Sequence, residues 1–349
     1  MLELLNYNIS DGIYFPEYNG IYNTVFSFTS NLGDFSSTGD IAHDQFSSVL
    51  DGDPVVRTYN NFTVNAGHTV TPTLRCKGLY LNILGDLTVN GTLSMTARGA
   101  NAEGKYIVID KYNKKIFYLD SLESGKDYTN FTLINKTGGL GTTNKTSLTS
   151  TSDGGTGING ACAAGGGNYM YRGGHGSSFS GGSGAGGGAS DSPSIGFAST
   201  AVFTHATAGS DSGGAGGAGA YDTGSGYAAQ GGGGAGNPGG TVKYSSGKVG
   251  SNGTGGLMIL FVRGNIIIGS SGSIQSNGSA GGCGHQTIGG TYPFSQGGGG
   301  SGGGAIHLFH KGTINTTSKI TTTGGLGGVY TGSVSGGNGG NGTVNLQLI

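Results

Sequence analysis

Several things that most globular chains have are scarce or missing in this sequence. Its 349 residues include no tryptophan, 6 prolines and 3 cysteines. The 17 basic and 18 acidic side chains leave a net charge of −1, which argues against nucleic-acid binding because neutralising phosphates needs clustered lysine and arginine. The shortage of proline and the lack of a strict Gly-X-Y period exclude collagen.

The cysteines and the apolar runs argue against a disulfide framework and against a membrane span. Cys76, Cys162 and Cys283 are far apart and odd in number, so no disulfide framework is implied. The longest apolar run, Leu257 to Val262, is far shorter than the roughly 20 residues that span a bilayer, and we expect no membrane insertion. The first eight residues lack the basic start and apolar stretch of a signal peptide.

Glycine is what the chain has in excess: 79 residues, about three times the average usage of roughly 7%. Charge is uneven, since ten charged residues lie between Glu103 and Asp127 and only ten more after residue 150. We therefore predict two regions, a β-rich region over 1–150 and a glycine-rich region over 151–349. A hairpin insertion is expected at about 105–135, and helical periodicity is nearly absent.

An internal repeat becomes visible when glycines are used as anchors. Copies begin at Gly78, Gly256 and Gly304, each with an apolar strand, a second glycine after seven or eight residues and another apolar strand. Residues 342–349 resemble the first half of a further copy. Short strands thus alternate with glycine tracts.

The tracts themselves have a period of three residues, two glycines and then another residue. Non-glycine pairs three apart are Arg172 and His175, Ala215 and Ala218, Ala280 and Cys283, Leu326 and Val329, and Asn338 and Asn341. Three residues per turn is the repeat of the polyproline-II helix, which makes no internal hydrogen bonds, so its backbone groups need partners outside it. Two bare glycine edges let neighbouring helices approach closely. This three-residue period, here called the triplet phase, predicts a packed array of helices and not flexible spacers.

This pattern resembles the glycine-rich adhesins that cap the long tail fibres of T-even-like bacteriophages. The resemblance covers about residues 151–349 and is one of pattern; a receptor-binding tip of another phage or phage-tail-like particle fits equally. It implies a mainly β and polyglycine-II fold: a β-rich attachment region followed by a layered sandwich of glycine-rich polyproline-II-like helices with short interleaved strands. It also implies a place in the virion, at the distal tail fibre or tail tip, and loops at the free end that bind a receptor.

The segments between tracts are rich in aromatic side chains. Ten of the 13 aromatic residues after position 150 fall in five segments, namely 168–180, 192–208, 220–230, 285–296 and 326–335. Tyrosine beside serine and glycine is typical of recognition loops. The predicted receptor-binding residues are Tyr169, Tyr171, Arg172, His175, Phe179, Phe197, Phe203, His205, Tyr221, Tyr227, His285, Tyr292, Phe294 and Tyr330. The competing interpretation is that phenylalanines such as Phe197 and Phe294 fold inward.

The expected partners follow from this interpretation. They are a bacterial surface receptor, either protein or glycan, and other tail-fibre or baseplate proteins that contact the N-terminal region. We expect no catalytic residues, cofactor or metal, and the sequence leaves open whether one copy or a homotrimer assembles.

Two rival functions compete with the adhesin hypothesis. A polysaccharide-degrading tail protein would need paired carboxylates, and the side-chain carboxylates after residue 150 are Asp153, Asp191, Asp211 and Asp222. An ice-binding protein would need a flat repetitive face, and only residues 313–323 are rich in threonine. The metal-like spacings Cys283-Gly-His285 and His307-Leu-Phe-His310 lack further ligands.

Overall fold

The structure is a computed structural model that describes residues 24–28, 30–40, 46–142, 153–167, 171–186, 203–204, 208–219, 221–222, 229–242, 247–286, 296–329 and 335–349. These residues form 21 β-strands and no α-helix, which confirms the mainly β prediction. The strands are β1 (Thr24–Ser27), β2 (Phe35–Ser36), β3 (Val55–Tyr59), β4 (Phe62–Val64), β5 (Thr69–Val70), β6 (Leu79–Ile83), β7 (Leu87–Val89), β8 (Thr92–Ser94), β9 (Tyr106–Asp110), β10 (Lys115–Leu119), β11 (Thr132–Ile134), β12 (Phe203–Thr204), β13 (Tyr221–Asp222), β14 (Ala229–Gln230), β15 (Leu257–Val262), β16 (Ile266–Ile268), β17 (Ser273–Gln275), β18 (His285–Gln286), β19 (Ala305–His310), β20 (Ile320–Thr321) and β21 (Thr343–Leu348).

Three parallel sheets form the three sides of a coiled β-helix. Sheet 1 has the order β21-β19-β15-β6-β3, sheet 2 has β16-β7-β4-β2, and sheet 3 has β20-β17-β8-β5. Three coils, β3 to β5, β6 to β8 and β15 to β17, each supply one strand to each sheet in turn. Stacking coils in this way buries a continuous core that no single coil could bury.

The glycine-anchored repeat is the coil, although the first glycines of the first two copies are offset by one residue in the strand pairing. Leu79 of the first copy pairs with Met258 of the second, and Leu257 pairs with Ala305 of the third. β21 is the predicted half-copy, and it pairs with β19. The sequence prediction missed an earlier coil, β3 to β5, because Pro54 stands before its first strand where the other copies have glycine.

Alternation along sheet 1 fills two cores. Met258 and Leu260 of β15 face the interior of the coils, whereas Leu257 and Ile259 face outward. The outward face is covered by a second, antiparallel sheet in the order β1-β10-β9-β11. Because both faces are buried, β15 appears in the sequence as an uninterrupted apolar run.

The covering sheet contains the predicted hairpin. β9 and β10 pair antiparallel with Asp110 opposite Lys115, so the expected hairpin around residues 111–114 is confirmed. Its Tyr118 hydroxyl is hydrogen-bonded to the hydroxyl of Tyr80 on sheet 1. Both rings are buried, and burial raises the pKa of each phenol. The insertion therefore covers one side of the β-helix.

The predicted boundary at residue 150 does not separate two compact units. β3 and β6 lie before it and β15, β19 and β21 after it, yet all five belong to sheet 1. The glycine tracts leave and re-enter the β-helix at one corner, between the end of sheet 3 and the start of sheet 1: residues 95–256, 276–304 and 322–342 each join one coil to the next. The N-terminal strands and the glycine-rich region thus depend on the same core.

Hydrogen bonds between tracts recur with a period of three. The N–H groups of residues 298 and 301 donate to tract 279–282, those of 299 and 302 to tract 182–185, and those of 300 and 303 to tract 337–340. The six N···O distances lie between 2.5 and 3.0 Å. Each tract is therefore tied to several neighbours at once, as the triplet phase requires.

In a tract at the edge of the array, the glycines face the neighbouring tracts and the third position faces outward. In residues 336–342, Gly339 and Gly340 are buried, while Asn338 and Asn341 are exposed. The amide oxygens of these asparagines accept hydrogen bonds from the N–H groups of Gly327 (2.9 Å) and Gly324 (3.1 Å) in the adjoining tract. The asparagines thus satisfy backbone donors at the edge of the array.

Candidate functional site

The tract ends that adjoin the aromatic-rich segments are neighbours in space. Gly167 accepts a hydrogen bond from Gly337, and Gly328 accepts one from Gly336. Further pairs of the same kind are Gly232 with Gln296, Lys248 with Cys283, Gly219 with Thr241 and Gly209 with Arg172. These ends therefore gather on one side of the array.

The opposite ends of the tracts lie against the β-helix. Asn237 donates its side-chain amide to the carbonyl oxygen of Gly99 at 3.1 Å, and Thr343 donates its hydroxyl to that of Ala161 at 2.8 Å. We call this end, which contacts the β-helix, the near end of the array. The turns there use left-handed backbone at Asn159 (φ 47°) and Ser212 (φ 53°). The array is consequently fixed to the β-helix at one end, and the aromatic-rich segments adjoin the other.

A polar cluster lies where tracts 171–177 and 208–212 run side by side. The guanidinium of Arg172 meets the carboxylate of Asp211 as a fork, with N···O distances of 3.3 and 3.4 Å. The N–H of His175 donates to the same carboxylate at 2.6 Å. His175 Nδ1 accepts a hydrogen bond from the N–H of Gly141 at 2.8 Å.

The arrangement of this cluster follows from the triplet phase. Arg172 and His175 are three residues apart, so both project from one edge of their tract while the glycines between them are buried. The Arg172 and Asp211 side chains are 41% and 45% exposed, so their pairing contributes little to stability, about 0–1 kcal/mol. The cluster instead presents hydrogen-bonding groups at the surface of the array.

Two other predicted residues in this region have different environments. Tyr171 is half-buried, and burial raises the pKa of its phenol. The prediction that Phe179 is a receptor contact is wrong, because this residue is fully buried in the core beneath the covering sheet. Its ring packs edge-on against Tyr118 with centroids 5.1 Å apart. Phe179 belongs to a near-end turn, where an aromatic side chain fills the space between array and β-helix.

The remaining predicted residues fall into two groups. The backbones of Phe203, Tyr221 and His285 form part of a small antiparallel sheet in the order β12-β13-β14-β18. His285 is half-buried at the end of its tract. Outside the described residues lie Tyr169, Phe197, His205, Tyr227, Tyr292, Phe294 and Tyr330.

The carboxylates considered for catalysis have structural contacts where they are described. Asp211 binds Arg172 and His175 as above, and Asp153 accepts the N–H of Asn338 at 2.8 Å. Asp191 and the side chain of Asp222 lie outside the described part of the chain. In the described ranges, no three histidine, cysteine, aspartate or glutamate side chains converge as metal ligands, and no helix there is long and apolar enough to cross a bilayer.

The two histidines of β19 project to opposite faces of the strand. His307 is buried on the outward face, where Nε2 donates to the carbonyl oxygen of Gly160 at 2.7 Å. His310 is an odd number of residues away and lies on the other face. The His-x-x-His spacing therefore cannot place both imidazoles on one ion.

No protein-family model matches the chain, and comparisons with curated proteins and with solved structures found no match.

The role of Asp211, which joins Arg172 to His175, was not predicted from the sequence. The signal was present, because Asp211 is the only side-chain carboxylate between Asp191 and Asp222. What the sequence could not supply was the register of tract 208–212 against tract 171–177, which depends on hydrogen bonds such as Ser212 N–H to His175.

Proposed function

We propose that the glycine tracts are polyglycine-II helices packed as a sandwich. Support comes from the three-residue recurrence of their hydrogen-bond partners and from the burial of the glycine edges. Close approach makes glycine necessary: a Cβ built on Gly339 would come within 1.9 Å of the Ser301 carbonyl oxygen. A packed sandwich of this kind would be a rigid scaffold for variable loops.

We further propose that the chain is a receptor-binding adhesin of a bacteriophage tail fibre, tail tip or phage-tail-like particle. One observation carries this proposal: the tract ends that lead into the aromatic-rich segments gather on the side of the array that faces away from the β-helix. Tyrosine-, serine- and glycine-rich segments on a rigid support are suited to recognising a bacterial surface protein or glycan. The β-helix end would then join other particle proteins.

Recognition in this proposal depends on aromatic stacking and hydrogen bonding. Tyr171, Arg172 and His175 supply an aromatic ring, a guanidinium and an imidazole at the edge of one tract. Because few charges lie in this region, we expect binding to change little between about 0.05 M and about 0.5 M salt. These concentrations lie on either side of about 0.1 M, where the Debye length is about 10 Å.

The test is binding of the fluorescently labelled full chain to a panel of bacterial strains. The full chain is needed because strands from both halves share sheet 1. One variant changes Tyr169, Tyr171, Tyr227 and Tyr292 to alanine. A matched control changes Tyr112, which is 69% exposed on the hairpin turn of the covering sheet, to alanine.

We expect strain-selective binding that the four changes abolish and Tyr112→Ala leaves intact, with both variants folded by circular dichroism. Failure of the folded wild type to bind any strain would remove the support for an adhesin. Equal loss in the Tyr112 control would place the binding surface at the other end of the molecule.

A further inference from the structure

A basic pocket lies where the hairpin of the covering sheet meets the ends of β15 and β19. It has a volume of about 330 Å³, and its walls include Lys111, Lys114, Arg263 and Lys311. Phe261 and the exposed ring of Tyr112 provide an apolar side. Four cations in one pocket are unusual in a chain with only 17 basic residues.

These cations have no carboxylate partners among the described residues. All five described salt bridges involve other lysines and arginines. The nearby Asp110 is occupied by the turn, because its oxygens accept hydrogen bonds from Tyr112 N–H, Asn113 N–H and the Asn113 side chain. Ile349 also borders the pocket, and a carboxylate there would offset one of the four charges and leave three.

Lys114 is held in place by a neutral group. Its ammonium donates to the Asn82 side-chain oxygen at 2.8 Å, and Asn82 is itself buried on sheet 1. Burial lowers the pKa of Lys114, and the nearby Lys311 and Arg263 lower it further. The cations are therefore close enough to repel one another, and a bound anion would relieve that repulsion.

The backbone at Lys114 turns its side chain toward the pocket. Its φ of 54° lies in the left-handed region, which glycine or asparagine occupies at lower cost in a hairpin turn. That backbone directs a half-buried lysine toward Asn82 and the pocket.

We propose that this pocket binds a multivalent oxyanion, a phosphate- or carboxylate-bearing group. Arg263 supplies a planar fork of donors, the three lysines supply point charges, and the exposed ring of Tyr112 borders the ligand. The chain runs without a turn from Gly297 to His310, so the pocket and the aromatic-rich segments lie at opposite ends of about 45 Å of extended chain. Binding at the basic pocket and binding at the aromatic-rich segments can therefore be tested independently.

The test is calorimetric titration of the full chain with inorganic pyrophosphate and, separately, with citrate, at low salt. We expect one site, with affinity reduced about tenfold or more by Arg263→Gln or Lys311→Gln, since hydrogen bonds to charged groups are the strong ones. Arg263 and Lys311 are exposed at strand ends, so neither change should affect folding. Lys248→Gln, at an exposed lysine of the glycine-rich array, is the matched control and should change affinity less than about twofold.

The two probes distinguish phosphate from carboxylate as the preferred group. Preference for pyrophosphate supports a phosphorylated ligand, and preference for citrate supports a carboxylated one. The proposal is overturned if neither probe binds, or if Lys248→Gln weakens binding as much as Arg263→Gln does. Neither result would bear on strain binding by the opposite end.

Discussion

The imidazole of His307 donates from Nε2 to the carbonyl oxygen of Gly160 across 2.7 Å. This bond joins strand β19 of the β-helix to the first near-end turn of the glycine-rich array, where Gly160 has a φ of 77°. Nδ1 accepts from the side-chain amide of Asn345 at 3.3 Å. Both ring nitrogens are engaged as in a neutral imidazole, and the side chain is buried.

Acid should destabilise the protein through His307. Burial lowers the pKa of this imidazole to about 4, and the hydrogen bond to Gly160 only partly opposes the shift. In the unfolded chain the pKa returns to about 6.5, so protonation favours unfolding. The contribution is complete above about pH 6.5 and is lost as the pH falls toward about 4, by about 3 kcal/mol in total. Denaturant unfolding at about pH 7.5, 5.5 and 4 measures it.

His307→Gln separates this effect from general acid denaturation. Glutamine cannot be protonated in this range, so the unfolding free energy of the variant should depend less on pH between about 6.5 and 4. The variant should be less stable than the wild type at neutral pH, because glutamine does not reproduce the hydrogen bond from His307 Nε2 to the Gly160 carbonyl oxygen. Identical pH dependence in the two proteins would exclude His307 as the titrating group.

Replacing a tract glycine that is packed against a neighbouring tract should be far more harmful than replacing a glycine with open space around it. A Cβ on Gly339 would meet the Ser301 carbonyl oxygen at 1.9 Å, and this backbone cannot withdraw without breaking the Ser301 N–H bond to Ser279. We expect Gly339→Ala to lower the unfolding free energy by about 1–3 kcal/mol or more. Denaturant titration gives the value.

Gly39→Ala is the matched control. A Cβ there meets no atom within 4 Å, and its φ lies outside the left-handed region. The change should be neutral or stabilise by up to about 1 kcal/mol, because alanine restricts the unfolded chain. If the two substitutions had equal effects, the close packing of the tracts would be refuted.

Much of this architecture could be predicted from the sequence, because the sequence contains two repeats: the glycine-anchored coil and the three-residue period of the tracts. The glycine anchors at Gly78, Gly256 and Gly304 mark coils that align in sheet 1. The triplet phase, as in Asn338 and Asn341, indicates which edge of a tract is exposed. Both are local signals that need no knowledge of long-range contacts.

The errors arise where a local signal has several long-range outcomes. Phe179 sits among serines and glycines like the aromatic residues of a loop, yet it closes a turn against Tyr118 of the hairpin. The boundary at residue 150 followed the change in composition, whereas sheet 1 pairs Leu79 of β6 with Met258 of β15, on the other side of that boundary. Composition records which residues are present and says nothing about strand order.

Phe179→Ala should destabilise the fold and leave recognition unchanged. Removing a fully buried phenylalanine that packs on Tyr118 should cost about 3–5 kcal/mol. Tyr112→Ala, at a 69% exposed ring, should change stability by less than about 0.5 kcal/mol. Thermal or denaturant unfolding measures both, and a stability close to that of the wild type for Phe179→Ala would contradict its placement in the core.

The three cysteines should differ sharply in reactivity. Cys76 and Cys162 are buried and burial raises the pKa of both thiols, whereas Cys283 is half-buried in a tract of the array. Since the thiolate is the reactive form, a thiol reagent at about pH 8 should label one cysteine per folded chain and three after unfolding. Cys283→Ser should abolish labelling of the folded protein and reduce that of the unfolded protein to the two buried cysteines. Labelling of Cys76 or Cys162 without denaturant, located by peptide mass, would show that the β-helix or the near end of the array opens readily.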